Sequence, residues 1–332
     1  MTWQSGQGLK MIGVGGATPL PVLDNHALSA LVDTSDDWIR SRTGITQRHL
    51  ASSDVSLVDL ASEAAQAALV HAGVATESVD LILLATSTPD DLFGTASLVQ
   101  ARLGAHNAVA FDLTAACSGF IFGLVTAAQY LRAGTYRTVV LIGADILSRW
   151  VDWSDRRTCI LFGDGAGAVV LQADATDQLL GFELRSDGRL NHYLTLGYEP
   201  DPQTLVESVT IGQGKFKPIF MNGREVYRFA VTQVPEVIEK ALFRAGLTTD
   251  DIDWLLLHQA NQRILDAVAD RLGIPREKVI SNVSDYGNTS AASIPLALSE
   301  VVANGQIKPG DVVAAAGFGA GLTWGAAIFR WH

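Results

Sequence analysis

Charge is scarce in this chain: 18% of its 332 residues are Asp, Glu, Lys or Arg, against 48% that are hydrophobic. So little charge with so much apolar material to bury excludes a disordered chain. Basic residues are the scarcer sign, 24 against 35 acidic, for a formal net charge of −11. That balance argues against general nucleic-acid binding, which needs a positive surface facing the phosphates. Cysteine is nearly absent. Cys117 and Cys159 cannot build a disulfide framework, their spacing suits no metal, and the histidines are scattered without an HExxH pair. A reduced, cytoplasmic setting without a bound metal is expected. Residues 1–6 carry no basic region ahead of an apolar stretch, so no signal peptide is expected. Clean hydrophobic runs of spanning length are lacking too. Residues 113–131 and 312–329 are free of charge, but small and polar residues interrupt both, and Lys308-Pro309-Gly310-Asp311 reads as a turn into the second. Buried elements of an α/β core, with sheets covered on both faces, are expected rather than membrane spans.

What is present is a repeat. Residues 68–84 (ALVHAGVATESVDLILL) and 241–257 (ALFRAGLTTDDIDWLLL) share Ala68, Leu69, Ala72, Gly73, Thr76, Asp80, Leu83 and Leu84 at an offset of 173. Each copy reads as a helix ending at a glycine, an acidic turn and an apolar strand. Further echoes follow in order: Arg102-Leu103-Gly104 with Arg271-Leu272-Gly273, the strand at 139–144 with 312–317, and 165–171 with 321–329. An offset of about half the chain implies a duplication, with an N-terminal half at 1–173 and a C-terminal half at 174–332. A more polar stretch at 174–222 precedes the second copy. Two α/β halves related by a pseudo-twofold axis place the chemistry just after the matched strands, because open α/β sheets collect their sites at strand C-terminal ends.

Three segments there carry candidate chemistry. Cys117, in Thr114-Ala115-Ala116-Cys117-Ser118-Gly119, falls at a strand-to-helix turn, where the helix dipole and free N–H groups favour a thiolate. The alternative is a small buried hydrophobe, which is how Cys159 reads. His258, at the end of Trp254-Leu255-Leu256-Leu257, is either a hydrogen-bond donor or base, or a structural histidine. Asn288, in Tyr286-Gly287-Asn288-Thr289-Ser290-Ala291-Ala292-Ser293, is either a helix cap or an amide donor to substrate. Cys117 and Asn288 are 171 apart, which predicts matching helix starts facing each other across the two halves. The run Gly163-Asp164-Gly165-Ala166-Gly167-Ala168 formally fits a dinucleotide fingerprint, but Val169-Val170-Leu171 continues it as a strand, so close backbone packing is the better reading. No nucleotide cofactor is expected.

Together, residues 32–39 (VDTSDDWI), Arg42-Thr43-Gly44-Ile45, Ala115-Ala116-Cys117-Ser118-Gly119, Phe162-Gly163-Asp164-Gly165-Ala166-Gly167, His258-Gln259-Ala260-Asn261 and Gly287-Asn288-Thr289-Ser290 resemble the β-ketoacyl-acyl carrier protein synthase III family of the thiolase superfamily. The resemblance runs from Lys10 to Arg330. It implies a thiolase-like, internally duplicated five-layer α/β/α/β/α fold, a homodimer, and condensation of acetyl-CoA with malonyl-acyl carrier protein. Related outcomes are another CoA-primed synthase with a branched, longer or polyketide starter, or an acyl-CoA thioesterase. The resemblance also implies roles. Cys117 takes the acetyl group, and His258 and Asn288 hold the malonyl thioester oxygen. Backbone N–H groups of Cys117 and Ala320 form the oxyanion hole, Ala320 standing where the family usually has glycine. Trp38, Arg42, Arg156, Gly223 and Asn261 bind CoA. Leu147, Phe162 and Phe318 wall the acyl pocket, and Phe93 reaches it from the partner subunit in a shortened Phe93-Gly94-Thr95 segment. Arg263 docks the acidic carrier protein, with Arg224, Arg228, Arg244, Arg271, Arg276 and Lys278 able to extend a positive patch. No metal or redox cofactor is implied.

Overall fold

Strands that are apolar on both faces must be covered on both, and the arrangement of the chain follows from that demand. The computed structural model describes residues 8–332. Residues 1–7, where no signal peptide is read, lie outside the described residues. The first sheet is built from β1 (Gly8–Ala17), β2 (Leu81–Ala85), β3 (Val109–Leu113), β4 (Thr138–Ile146) and β5 (Asp164–Asp174), in the order β1-β5-β4-β2-β3. The second uses β6 (Leu179–Ser186), β7 (Trp254–Leu257), β8 (Val279–Ile280), β9 (Val312–Gly319) and β10 (Thr323–Arg330), in the order β6-β10-β9-β7-β8. The two orders are one topology used twice. In each, the strands β2, β3 and β4 (or β7, β8 and β9) run parallel, and the β5–β1 (or β10–β6) side is antiparallel. β6 lies within the stretch that reads as a polar connector; its residues alternate buried and half-buried from Leu179 to Leu184, a pattern that a composition count over 174–222 averages away.

Period-two alternation then sorts side chains into layers. Leu81, Leu83, Val139 and Leu141 face inward, while Ile82, Leu84, Val140 and Ile142 face outward. In the second sheet Leu256, Val313 and Ala315 face inward, and Leu255, Leu257, Ala314 and Ala316 outward. The inner faces share one core with α4 (Gly119–Arg132) and α7 (Ser293–Ala303) between the sheets. The outer faces are covered by α2 (Leu57–Ala72) and α3 (Ala96–Leu103) on one side, and by α5 (Gly223–Ala245) and α6 (Gln262–Leu272) on the other. The result is the five-layer α/β/α/β/α stack. Each fully buried Leu in it contributes about 1.5–3 kcal/mol of burial free energy.

The covering helices form for local reasons. α2 starts with a Ser56/Asp59 capping box, buries Leu57, Leu60, Ala61, Ala64, Ala65, Ala68 and Leu69 on one face, and stops at Gly73 in the left-handed region. α3, α5 and α6 also end at left-handed glycines, Gly104, Gly246 and Gly273, which accounts for the repeated helix-stop signal. The Gly165–Gly167 run lies inside β5. A Cβ on Gly167 would sit 2.4 Å from the Leu296 backbone nitrogen, so its bareness serves the approach of α7. A two-stranded ribbon, residues 198–206 paired with 209–216, projects from the second half with every residue exposed. Among the described residues no helix is long and apolar enough to cross a membrane.

Candidate active site

The central helices α4 and α7 both begin after a tight 3-10 turn, Ala116–Ser118 and Ser290–Ala292. Ala116 and Ser290 have φ of 47° and 52°, the positive-φ non-glycine residues among those described. Such a conformation costs a residue with a Cβ of order 1–3 kcal/mol, and here it occurs at equivalent places in the two halves. That register makes Ala291, not Asn288, the counterpart of Cys117; Asn288 lies three residues earlier, leading into the same turn. Nor does Asn288 cap α7, whose N-cap is Ala292. Its backbone is tied to the other half instead: Asn288 N–H donates to Leu161 O at 2.8 Å, and Gly163 N–H to Asn288 O at 3.0 Å. Its Oδ1 accepts from Ser290 N–H at 2.9 Å, which leaves the Nδ2 protons for the cavity.

Cys117 lies where two cavities meet. One, of about 450 Å³, runs from a mouth with Arg42, Arg224 and Arg263 past Gly223 and Asn261 to His258, Asn288, Phe318 and Cys117, and no carboxylate lines it. The other, of about 740 Å³ and mostly apolar, is walled by Leu147, Trp150, Phe162, Leu194, Phe216 and Ile219, with Ala320 beside Cys117. Phe318, grouped with Leu147 and Phe162 in the sequence reading, lines the first cavity, its ring edge-on to His258 at 5.4 Å. Phe93 lines neither cavity and is fully exposed, beside exposed Leu92.

The loop carrying Ala320 is pressed against the nucleophile turn. A Cβ on Gly319 would lie 2.6 Å from Cys117 N and 3.0 Å from Cys117 Cβ, so only glycine permits this approach. Ala320 itself has no positive φ, so its Cβ meets none of the backbone strain that would call for glycine there. Thr323 locks the loop: its hydroxyl lies 3.0 Å from Ala115 O, 3.1 Å from Ala320 O and 2.8 Å from Ser118 Oγ.

Cys117 and His258 are both buried. Burial pushes the Cys117 thiol up to about 12; the Ser290 hydroxyl opposes that shift and the Asp145 carboxylate adds to it. Desolvation thus acts against the lowering that a helix N-terminus favours. Burial lowers His258 to about 3, so its ring is neutral. Asp145 is a fully buried carboxylate that burial pushes upward. It accepts from Ser87 N, Thr86 Oγ1 and Thr88 Oγ1 in one half and from Ala291 N in the other, tying the Ser290–Ala292 turn to the N-terminal half. Sequence reasoning missed it, although a single acid in the otherwise apolar strand TVVLIGADI is a visible signal.

Farther out, Trp38 on α1 (Asp36–Thr43) is flanked by two guanidinium groups, Arg42 at 4.8 Å and Arg156 at 5.2 Å from the ring centroid. Arg156 also donates to Asp33 O at 2.8 Å. Asn261 caps α6 and donates from Nδ2 to Arg42 O at 3.1 Å, holding the mouth together. Arg263 is exposed over the Tyr227 ring at 5.7 Å. Of the other basic residues, Arg224 joins this mouth, whereas Arg244 is paired with Glu183 and Arg276 with Asp266 and Asp270. Among the described residues no group of three or more His, Cys, Asp or Glu is placed to hold a metal.

Comparison with known proteins adds the family. Residues 111–188 match the family described as 3-oxoacyl-[acyl-carrier-protein] synthase III, and 242–331 its C-terminal counterpart. The chain is 74% identical over 326 residues to the β-ketoacyl-[acyl-carrier-protein] synthase III of Thermosynechococcus vestitus, covering 98% of this chain and 99% of that one. The crystal structure of the Aquifex aeolicus 3-oxoacyl-[acyl-carrier-protein] synthase III superposes with a TM-score of 0.89 at 43% identity, covering 98% of this chain and 100% of that one. The priming β-ketosynthase of the R1128 polyketide pathway superposes at 0.90 with 32% identity, covering 100% and 98%. Fold and relatives define a thiolase-fold condensing enzyme, an acyltransferase. The chain belongs to the β-ketoacyl-acyl carrier protein synthase III family, whose members initiate fatty acid synthesis.

Proposed function

We propose that this chain condenses an acyl primer carried on CoA, with acetyl as the first candidate, with malonyl-acyl carrier protein to give acetoacetyl-acyl carrier protein, CoA and carbon dioxide. The observation that carries the proposal is the meeting of two unlike cavities at Cys117: a narrow one with an arginine mouth and the His258/Asn288 pair, and a wider apolar one. Cys117 Sγ attacks the primer thioester, the carbonyl–sulfur bond to CoA breaks, and the thiol proton leaves with the CoA sulfur. N–H groups of Cys117 and Ala320 hold the tetrahedral oxygen. The malonyl thioester then enters, and its carboxylate bond breaks to release carbon dioxide. His258 and Asn288 donate to the thioester oxygen on which the charge develops. The carbanion attacks the acetyl carbonyl and expels Cys117 as a thiolate, which takes up a proton.

Trp38, Arg42 and Arg156 offer an aromatic face and cations for an adenine and its phosphates, with Gly223 and Asn261 along the arm leading inward. Arg263 offers the docking charge for the acidic carrier protein, which a net charge of −11 does not forbid while the mouth is locally positive. A homodimer, pairing the free edge of β3 and covering exposed Leu92, Phe93, Val109 and Phe111, would bring Phe93 of one subunit to the other's acyl cavity. The halves 1–173 and 174–332 act as one unit in this reading, since the nucleophile comes from the first and its two partners from the second. No cofactor is required by these steps, and a cytoplasmic location suits CoA thioesters and a reduced thiol.

Intact-mass analysis after exposure to acetyl-CoA tests the reading. The wild type gains one acetyl group and Cys117→Ala gains none; an unmodified wild type refutes it. CoA release without condensation would mark a thioesterase. The apolar lining of the wider cavity supports a second reading with longer or branched starters, and rates across acetyl-, isobutyryl- and octanoyl-CoA separate the two.

A further inference from the structure

Ser293, the first residue of α7, is 1% exposed and stands directly behind His258. Its Oγ has two partners among the described residues: the Gln259 backbone N–H at 3.3 Å and His258 Nδ1 at 2.7 Å. The amide can only donate, so the hydroxyl proton has the imidazole nitrogen as its one acceptor. If Nδ1 carried the proton instead, the ring would donate to Oγ and a buried hydroxyl proton would be left unpaired. The His258 backbone N–H donates to Ala316 O at 2.8 Å, which fixes the main chain that carries the ring. Nε2 has no protein partner among the described residues, and the ring lines the cavity that reaches Cys117.

We propose that Ser293 is a positioning residue that holds His258 as the neutral Nε2–H tautomer, so that the ring offers a proton donor and not a base to the cavity. The proposal rests on the reading of His258 as a donor to the malonyl thioester oxygen, and it supplies the reason the ring can donate while neutral. Burial with no carboxylate acting on it keeps the ring uncharged. The same short segment orients both donors: Ser290 N–H occupies Asn288 Oδ1 and turns the amide nitrogen outward, and Ser293 Oγ occupies His258 Nδ1 and turns the ring N–H outward. A donor pair made this way strengthens as charge grows on the enolate oxygen, with no proton transfer needed. It also means that the Cys117 proton does not pass to the resting imidazole.

The first test is the nitrogen spectrum of histidine-labelled free protein at pH 7, with His258 assigned by its loss in His258→Asn. The expected spectrum shows a bare Nδ1 and a protonated Nε2; a protonated Nδ1 or an imidazolium overturns the proposal. The second uses Ser293→Ala. Cys117 acetylation should stay within twofold of the wild type while decarboxylation of malonyl-acyl carrier protein falls at least tenfold, with Ser293→Thr recovering most of the loss. Unchanged decarboxylation in Ser293→Ala overturns the positioning role. If that variant does not fold, the wild-type spectrum alone decides. Failure of the functional reading is distinguishable, because wild type that does not acetylate Cys117 refutes that reading and leaves the tautomer standing.

Discussion

The neutral, buried His258 makes a stability prediction that needs no substrate. Burial lowers its pKa from 6.5 to about 3. A group with a lowered folded-state pKa stabilises the fold at pH above its unfolded value. That contribution is lost as the pH falls toward the folded value, because the unfolded chain binds a proton that the native ring refuses. The window therefore runs from about pH 6.5 down to about pH 3. At about 1.4 kcal/mol per pH unit, the loss is roughly 2 kcal/mol at pH 5 and approaches roughly 5 kcal/mol at the lower end. Even the smaller figure is a large share of a domain stability of about 5–15 kcal/mol. Urea unfolding of wild type and His258→Gln, which cannot titrate, measures it directly. Between pH 8 and pH 5 the wild type should lose about 2 kcal/mol more than the variant, the remaining histidines cancelling in the comparison. Parallel pH curves for the two proteins would refute both the buried neutral ring and the donor role built on it.

Two further outcomes follow from the site geometry. Gly319→Ala must push the Ala320 loop off the Cys117 turn, given a Cβ only 2.6 Å from Cys117 N; acetylation and condensation should both fall about 10²-fold, with about 1–3 kcal/mol of overpacking cost. Wild-type rates in that variant would show that the loop does not serve the oxyanion. Arg263→Glu should raise the KM for malonyl-acyl carrier protein about tenfold or more by placing like charge against an acidic partner, while Cys117 acetylation is unchanged; equal loss of both activities would remove the docking role.

Much of this protein was legible before any coordinate. The offset of 173 between copies predicted two halves of one topology, and the glycine stops and apolar strands fell where their local patterns placed them, because capping and periodicity depend on neighbours in sequence. Cys117, His258 and Asn288 were found as chemical residue types just after strands, and the fold gathers them around one cavity. The tertiary structure alone decided the rest. The Cys117 thiol sits at about 12, against the lowering a helix start predicts, because the dielectric around a group is set by everything packed on it and not by its own turn. Phe318 faces His258 and not the wider apolar cavity because the side of β9 it occupies depends on register with β7 and β10. Asp145 and Ser293 escaped notice because their partners lie 146 and 35 residues away. The sequence by itself determined what the parts are; which hydrogen-bonding atom of each part faces the substrate was decided only when the two halves closed on each other, since hydrogen bonds between distant segments leave no local pattern.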